Sequence, residues 1–185
     1  MPVSYKQFLE IPNFPDDYLR LPRFYDGPQM YDVVQANREH LRYQWWTTQV
    51  QTRPDAHQHV TNTVDNNDAG DRMQYYLSAG VPVPNGPIRG SVTAYEIEPE
   101  LRHAKVGWWV VKDAQGRGLA TAATRRLLTE LQEVYGTESV EAHIADDNAA
   151  SRRLAQRIGF EPTENSYEVL VGGHLYLMDR WSMQL

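Results

Sequence analysis

The chain has 185 residues, 41% apolar and 23% charged, a composition that supports one globular domain with a substantial core. It contains no cysteine, which excludes a disulfide framework, a thiolate metal site and a cysteine nucleophile, and suits a reducing cytoplasm. A formal charge of −6 argues against broad attraction to nucleic acid or an anionic membrane, and no stretch approaches the roughly 20 apolar residues of a membrane span.

Tyr18–Phe24 reads as a first strand, placed at an edge by Pro22. Asp26 stands where it can cap a helix over 28–42, with Met30, Val33, Val34 and Leu41 on one side. A weakly amphipathic helix follows from Pro54 to Asn66. The pattern then turns to strands over Met73–Ala79, Ile88–Glu98 and Lys105–Val111. Leu119–Tyr135 is the clearest helix, since Ala120, Ala123, Leu127, Leu131 and Val134 recur at three and four and Gly136 ends it. Val140–Ala145 is a strand and Ala149–Ile158 a helix closed by Gly159. Tyr167–Val171 and His174–Met183 form a hairpin across Gly172-Gly173, a two-residue turn that needs positive φ. There is no internal repeat and no linker, so the order β-α-α-β-β-β-α-β-α-β-β describes one α/β domain over 1–185 with its core over about 18–183.

Gln115-Gly116-Arg117-Gly118-Leu119-Ala120 lies between a strand and that strong helix. Glycines there let backbone amides converge, and the helix start adds partial positive charge, which makes an anion site suited to a pyrophosphate. Arg117 and Lys112 stand nearby as cations. Residues 112–160 carry seven Lys/Arg against seven acids, whereas 1–111 carry 10 against 13 and 161–185 carry 1 against 4, so this segment is neutral in an acidic chain. A dinucleotide fold is the obvious competitor, but the third glycine is missing and only 69 residues follow Gly116, too few for its remaining strands. Six scattered histidines imply no metal, and His57 and His59 are too close on a helix to share a face.

The second element is Asn148-Ala-Ala-Ser151, which opens a helix at a strand end and runs to Gly159-Phe160. In this order the two elements resemble the GNAT superfamily of acetyltransferases. Gln115, Gly118 and Ala120 match the family loop, and Asn148, Ser151, Gly159 and Phe160 match its later signature. Val106–Val111 resembles the strand before the loop, whose backbone pairs with the pantetheine arm. Asn37-Arg38-Glu39-His40-Leu41-Arg42 with Trp45-Trp46 is similar to the RimJ/RimL branch, which acetylates N-termini of ribosomal proteins. The resemblance implies a mixed, mostly antiparallel sheet flanked by helices, acetyl-CoA as co-substrate without a metal, and direct attack by a primary amine. It implies cofactor contacts at Trp109, Val110, Val111, Asn148 and the loop residues Gln115, Gly116, Arg117, Gly118, Leu119 and Ala120. Asn37, Trp45 and Trp46 are its acceptor residues, although paired tryptophans serve equally well to close a core.

Chemistry requires the thioester carbonyl to be polarised, the amine to lose a proton and the thiolate to gain one. The resemblance assigns the first to backbone N–H near Trp109 and Val110. Many superfamily members carry a tyrosine as acid seven residues after the asparagine, where this chain has Ala155, so Ser151 becomes the acid. Glu168 on the hairpin is the expected base, with the branch's later aspartate replaced by Leu177 or shifted to Asp179. Glu141 and His143, alternate residues on one strand, compete with it, while His103 and Glu98 rank lower. The expected partners are an amine acceptor (a peptide N-terminus or a small molecule) and at most a second copy in a homodimer, with neither nucleic acid nor membrane. Acetylation of a protein α-amine, acetylation of a small amine (an antibiotic, toxin or amino acid conjugate), and non-catalytic CoA binding are the three readings the sequence leaves open.

Overall fold

The strands pair with their sequence neighbours along most of the sheet, and only the C-terminal hairpin enters in reversed order. The computed structural model describes residues 5–185. Its elements are β1 (Phe8–Glu10), β2 (Asp17–Arg20), α1 (Gly27–Asn37), α2 (Arg53–Ala69), β3 (Arg72–Ala79), β4 (Gly90–Glu98), β5 (His103–Val110), α3 (Leu119–Tyr135), β6 (Ser139–Ala145), α4 (Ala149–Ile158), β7 (Glu161–Val171) and β8 (His174–Gln184). The strands form one sheet in the order β1-β2-β3-β4-β5-β6-β8-β7, antiparallel throughout except for β5 with β6. This is the mixed, mostly antiparallel α/β architecture expected.

The parallel junction positions the site. β5 and β6 pair only at His103–Ser139, Ala104–Val140 and Lys105–Glu141. Beyond that point the halves Val106–Val110 and Ala142–Ala145 make no ladder with each other, and space opens between them. One face of the sheet packs on α3 and α4 through Leu119, Ala123, Leu127, Leu131, Leu154 and Ile158. The other packs on α1 and α2 through Met30, Val34, Val60, Tyr76 and Trp109. The stripe on α3 recurs at three and four, and Gly136 (φ 63) ends the helix in a left-handed cap.

Several expectations required correction. The strand expected first, at an edge, is β2 (Asp17–Arg20), and it lies inside the sheet because β1, which the sequence did not announce, covers its outer edge. Asp26 does not cap α1 with its side chain, which instead forms a two-point ion pair with fully buried Arg20, at 2.8 Å on each arm. A guanidinium without water needs that partner, and removing either half strands a buried charge. Helix α1 stops at Asn37, five residues early. The Asn37 amide turns back to donate to the Val33 carbonyl at 2.9 Å, while its oxygen accepts from the Lys112 amide at 3.1 Å. Residues 38–48 are thereby free to run in turns across the mouth of the opening.

Candidate active site

The loop before α3 is built for an anion. Gly116 (φ 80) and Gly118 (φ 81) are both left-handed, and a Cβ on either would meet no protein atom within 4 Å. Among the described residues the amides of Gly116 through Thr121 have no acceptor within the protein, as expected of a first helical turn that faces a ligand. The cavity there, about 930 Å³, is lined by Arg42, Arg117, Arg153 and Arg157 and by no Asp or Glu. Free amides and four guanidinia in an otherwise acidic chain fit the phosphates of a coenzyme A. Lys112 lies outside this cavity, with its amide held by Asn37. Arg153 and Arg157 were missed in sequence because only the helical register of α4 aims them at the loop.

Strand β5 offers the cavity its unpaired edge. The Val111 amide donates to Arg89 beside β4, so alternation turns the backbone of Trp109 toward β4 and those of Trp108 and Val110 toward the opening. The Val110 carbonyl accepts from His40 Nε2 at 3.0 Å, and the Trp108 carbonyl accepts from the Gln44 amide at 3.4 Å. The Gln115 side chain lies 2.8 Å from the same His40 nitrogen. Val110 therefore stands where a backbone contact was expected. Trp109 contributes its ring instead, and Val111 lies outside both cavities, packed toward α1 and α2.

A second cleft, about 910 Å³, opens on the other side of the gap. The two share only Tyr43, Gln44, Trp108, Trp109, Asn148 and Ser151. Asn148 caps α4 by accepting from the Ser151 amide at 3.2 Å, which holds the Ser151 side chain at this junction. Ala155 is buried in the core and offers no hydroxyl. Tyr43, absent from the sequence reading, adds one, with burial pushing its hydroxyl pKa up and Arg42 opposing that shift.

Trp45 and Trp46 both wall the second cleft. Trp46 stacks on His59 (4.6 Å between centroids, 14° between planes) and leans on Trp109. Burial pushes His59 down to about 4, with Arg72 adding to the shift, so its ring is neutral. Asn37 lies outside both cavities, as the tie between α1 and the loop after β5. Glu168 is exposed and faces away: register pairs it with Leu177, while its neighbours Tyr167 and Val169 line the cleft. In its place a chain of groups enters the cleft from β6 and β7. The Tyr167 hydroxyl lies 2.6 Å from His143 Nδ1, and His143 Nε2 contacts the Glu141 carboxylate. Asp179 pairs with Arg152 at 2.5 Å, and His103 bonds Ser139 at 2.8 Å.

Residues 18–161 match the family model for the acetyltransferase (GNAT) domain. The chain belongs to the GNAT acetyltransferase family. Over 76 residues it is 33% identical to YdaF of Bacillus subtilis (strain 168), named as a ribosomal N-acetyltransferase; the match covers 41% of this chain and 42% of that relative's length. The fold is similar to that of RimL, the ribosomal L7/L12 alpha-N-protein acetyltransferase, in complex with coenzyme A (TM-score 0.83, 20% identity, 95% of this chain and 97% of that one). It is also similar to the microcin C7 self immunity acetyltransferase MccE in complex with acetyl-CoA and AMP (TM-score 0.80, 19% identity, 92% and 93%). No helix among the described residues is long and apolar enough to cross a membrane.

Proposed function

We propose that this GNAT protein transfers acetyl from acetyl-CoA to the α-amine of a protein or peptide in the cytoplasm, with the amine entering from the cleft walled by Trp45 and Trp46. The observation that carries the reading is the meeting of the two cavities at Ser151, beneath the unpaired edge of β5. Acetyl-CoA would supply an activated thioester. The amides and arginines at the start of α3 and on α4 would hold its phosphates, and the outward Val110 amide would polarise the carbonyl. Ser151 would protonate the departing sulfur. With Glu141 accepting Nε2–H, His143 keeps a lone pair on Nδ1, which now accepts from Tyr167; from there the chain would draw the ammonium proton through the Tyr167 hydroxyl or a water. A serine at the junction and an imidazole on its acceptor side favour an enzyme over a non-catalytic CoA-binding domain. The ribosomal names of the relatives favour an α-amine.

A free α-amine has a pKa of about 7.7–8.0 and a lysine about 10.4, so one mild base suffices for the former at neutral pH. Thiol release should therefore be faster with a peptide bearing a free N-terminus than with its N-blocked, lysine-containing counterpart. Preference for the blocked peptide refutes the α-amine. A cleft of about 910 Å³ also lies within the range of small-molecule sites, so turnover confined to small amines would establish the second reading.

A further inference from the structure

Arg72 opens β3, and its side chain lines the floor of the acceptor cleft, with Tyr95 beside it in the ladder. Its side-chain partner is neutral: Nη1 donates to Gln74 Oε1 at 3.2 Å, and no carboxylate pairs with it among the described residues. Asp71, next in the chain, reaches the cleft rim without forming an ion pair with it. Of the other cations of the cleft, Lys105 is paired with Glu96, and Arg180 is exposed to water over the face of Tyr167. Burial lowers the Arg72 pKa, as it does for a cation that has lost water and gained no anion. Its aromatic and imidazole neighbours, Tyr95 and His59, bring no negative charge: burial pushes the Tyr95 hydroxyl up to about 12 and His59 down to about 4.

Register places the guanidinium relative to the chemistry. Arg72 lies level with Tyr95 and Lys105, four residues from Trp109 along the strand direction, roughly 14 Å, and two strand spacings, about 10 Å, across the sheet from β5. An extended peptide advances about 3.3–3.6 Å per residue, so a glutamate at its third position, met by the side chain of Arg72, spans most of the resulting separation of about 17 Å from the α-amine. We propose that Arg72 is a subsite for a carboxylate carried by the acceptor, the side chain of an acidic residue near the start of the acetylated N-terminus. The peptide source rests on the α-amine reading above, whereas the anion subsite does not.

The test compares kcat/KM for peptides identical except for Glu, Gln or Lys at position three, with wild type, Arg72→Gln and Arg72→Lys. Wild type should favour Glu over Gln by about tenfold or more, mainly through KM, as one charge-assisted hydrogen-bonded pair allows. Arg72→Gln should remove that preference and Arg72→Lys should restore part of it, with melting points of both variants confirming the fold. Equal rates for Glu and Gln in wild type, or an unchanged preference in Arg72→Gln, overturn the proposal. A parallel arm uses small primary amines with and without a terminal carboxylate. If only these react, and the carboxylate advantage depends on Arg72, the α-amine reading falls and the subsite stands. No dependence on Arg72 in either arm ends it.

Discussion

Replacing Gly118 with valine separates ligand binding from folding. Gly118 holds φ 81 at the start of α3, and its absent Cβ would meet no protein atom within 4 Å. The open space at the Cβ position leaves backbone strain as the main penalty for valine, about 1–3 kcal/mol for a branched residue in the left-handed region. At about 2–4 °C per kcal/mol for a domain of this size, the melting point should fall by about 2–12 °C with the fold intact. The isopropyl group occupies the space that a phosphate needs to reach the free amides. Loss of two amide–anion bonds at about 1.5–3 kcal/mol each predicts an acetyl-CoA affinity lower by about 10²–10⁴-fold. Calorimetry reads this directly. Thermal shift gives a second readout: at 100 times Kd a ligand adds about 2.7 kcal/mol, or roughly 5–11 °C, which the wild type should show and the variant at the same concentration should not. Unchanged affinity in a folded Gly118→Val protein refutes the phosphate site and everything placed by reference to it.

Ser151→Ala should lower kcat by about 10²–10⁴ while leaving acetyl-CoA affinity near wild type; an unmoved kcat transfers the acid role to the Tyr43 hydroxyl or to water. His143→Gln should reduce kcat/KM by about 10² or more and Glu168→Gln should be near neutral, with the reverse ranking returning the base to β7. His59 has a folded-state pKa of about 4, below its unfolded value of about 6.5, so the unfolded chain takes up the proton first. Stability should be complete above about pH 6.5 and fall by up to about 3 kcal/mol as the pH drops toward 4. Denaturant melts should show that loss, His59→Gln should flatten it, and an equal slope in the variant would assign it elsewhere.

The sequence makes α3 and α4 legible because each combines an apolar stripe with a glycine that cannot continue the helix, and both match their expected bounds. The loop before α3 is readable for the same reason, since two glycines ahead of a strong helix leave amides without acceptors whatever the rest of the chain does. The N-terminal third is harder. Asp26 in front of an apolar run looks like a cap, and only the fold shows that Arg20 lies buried within reach of it. The end of α1 depends on the Lys112 amide, 75 residues away, which no local pattern can announce.

Glu168 shows why the acceptor side resists such reading. Across Tyr167–Val171 and His174–Met178 both faces of the hairpin are apolar, so alternation does not reveal which face is covered. The fold buries Val171 and Tyr176 and leaves Leu170, Leu175 and Leu177 exposed at 67%, 55% and 40%. That choice turns Glu168 outward and Tyr167 inward, because one step along a strand reverses the side chain. What fixes the parity is the packing of Val171 and Tyr176 against Ala145 and Tyr43, which come from β6 and from the turns after α1. The same contacts bring Tyr43 to the junction that Ser151 also lines and set Tyr167 against His143, so the residues that reveal the face of the hairpin are those that complete the site.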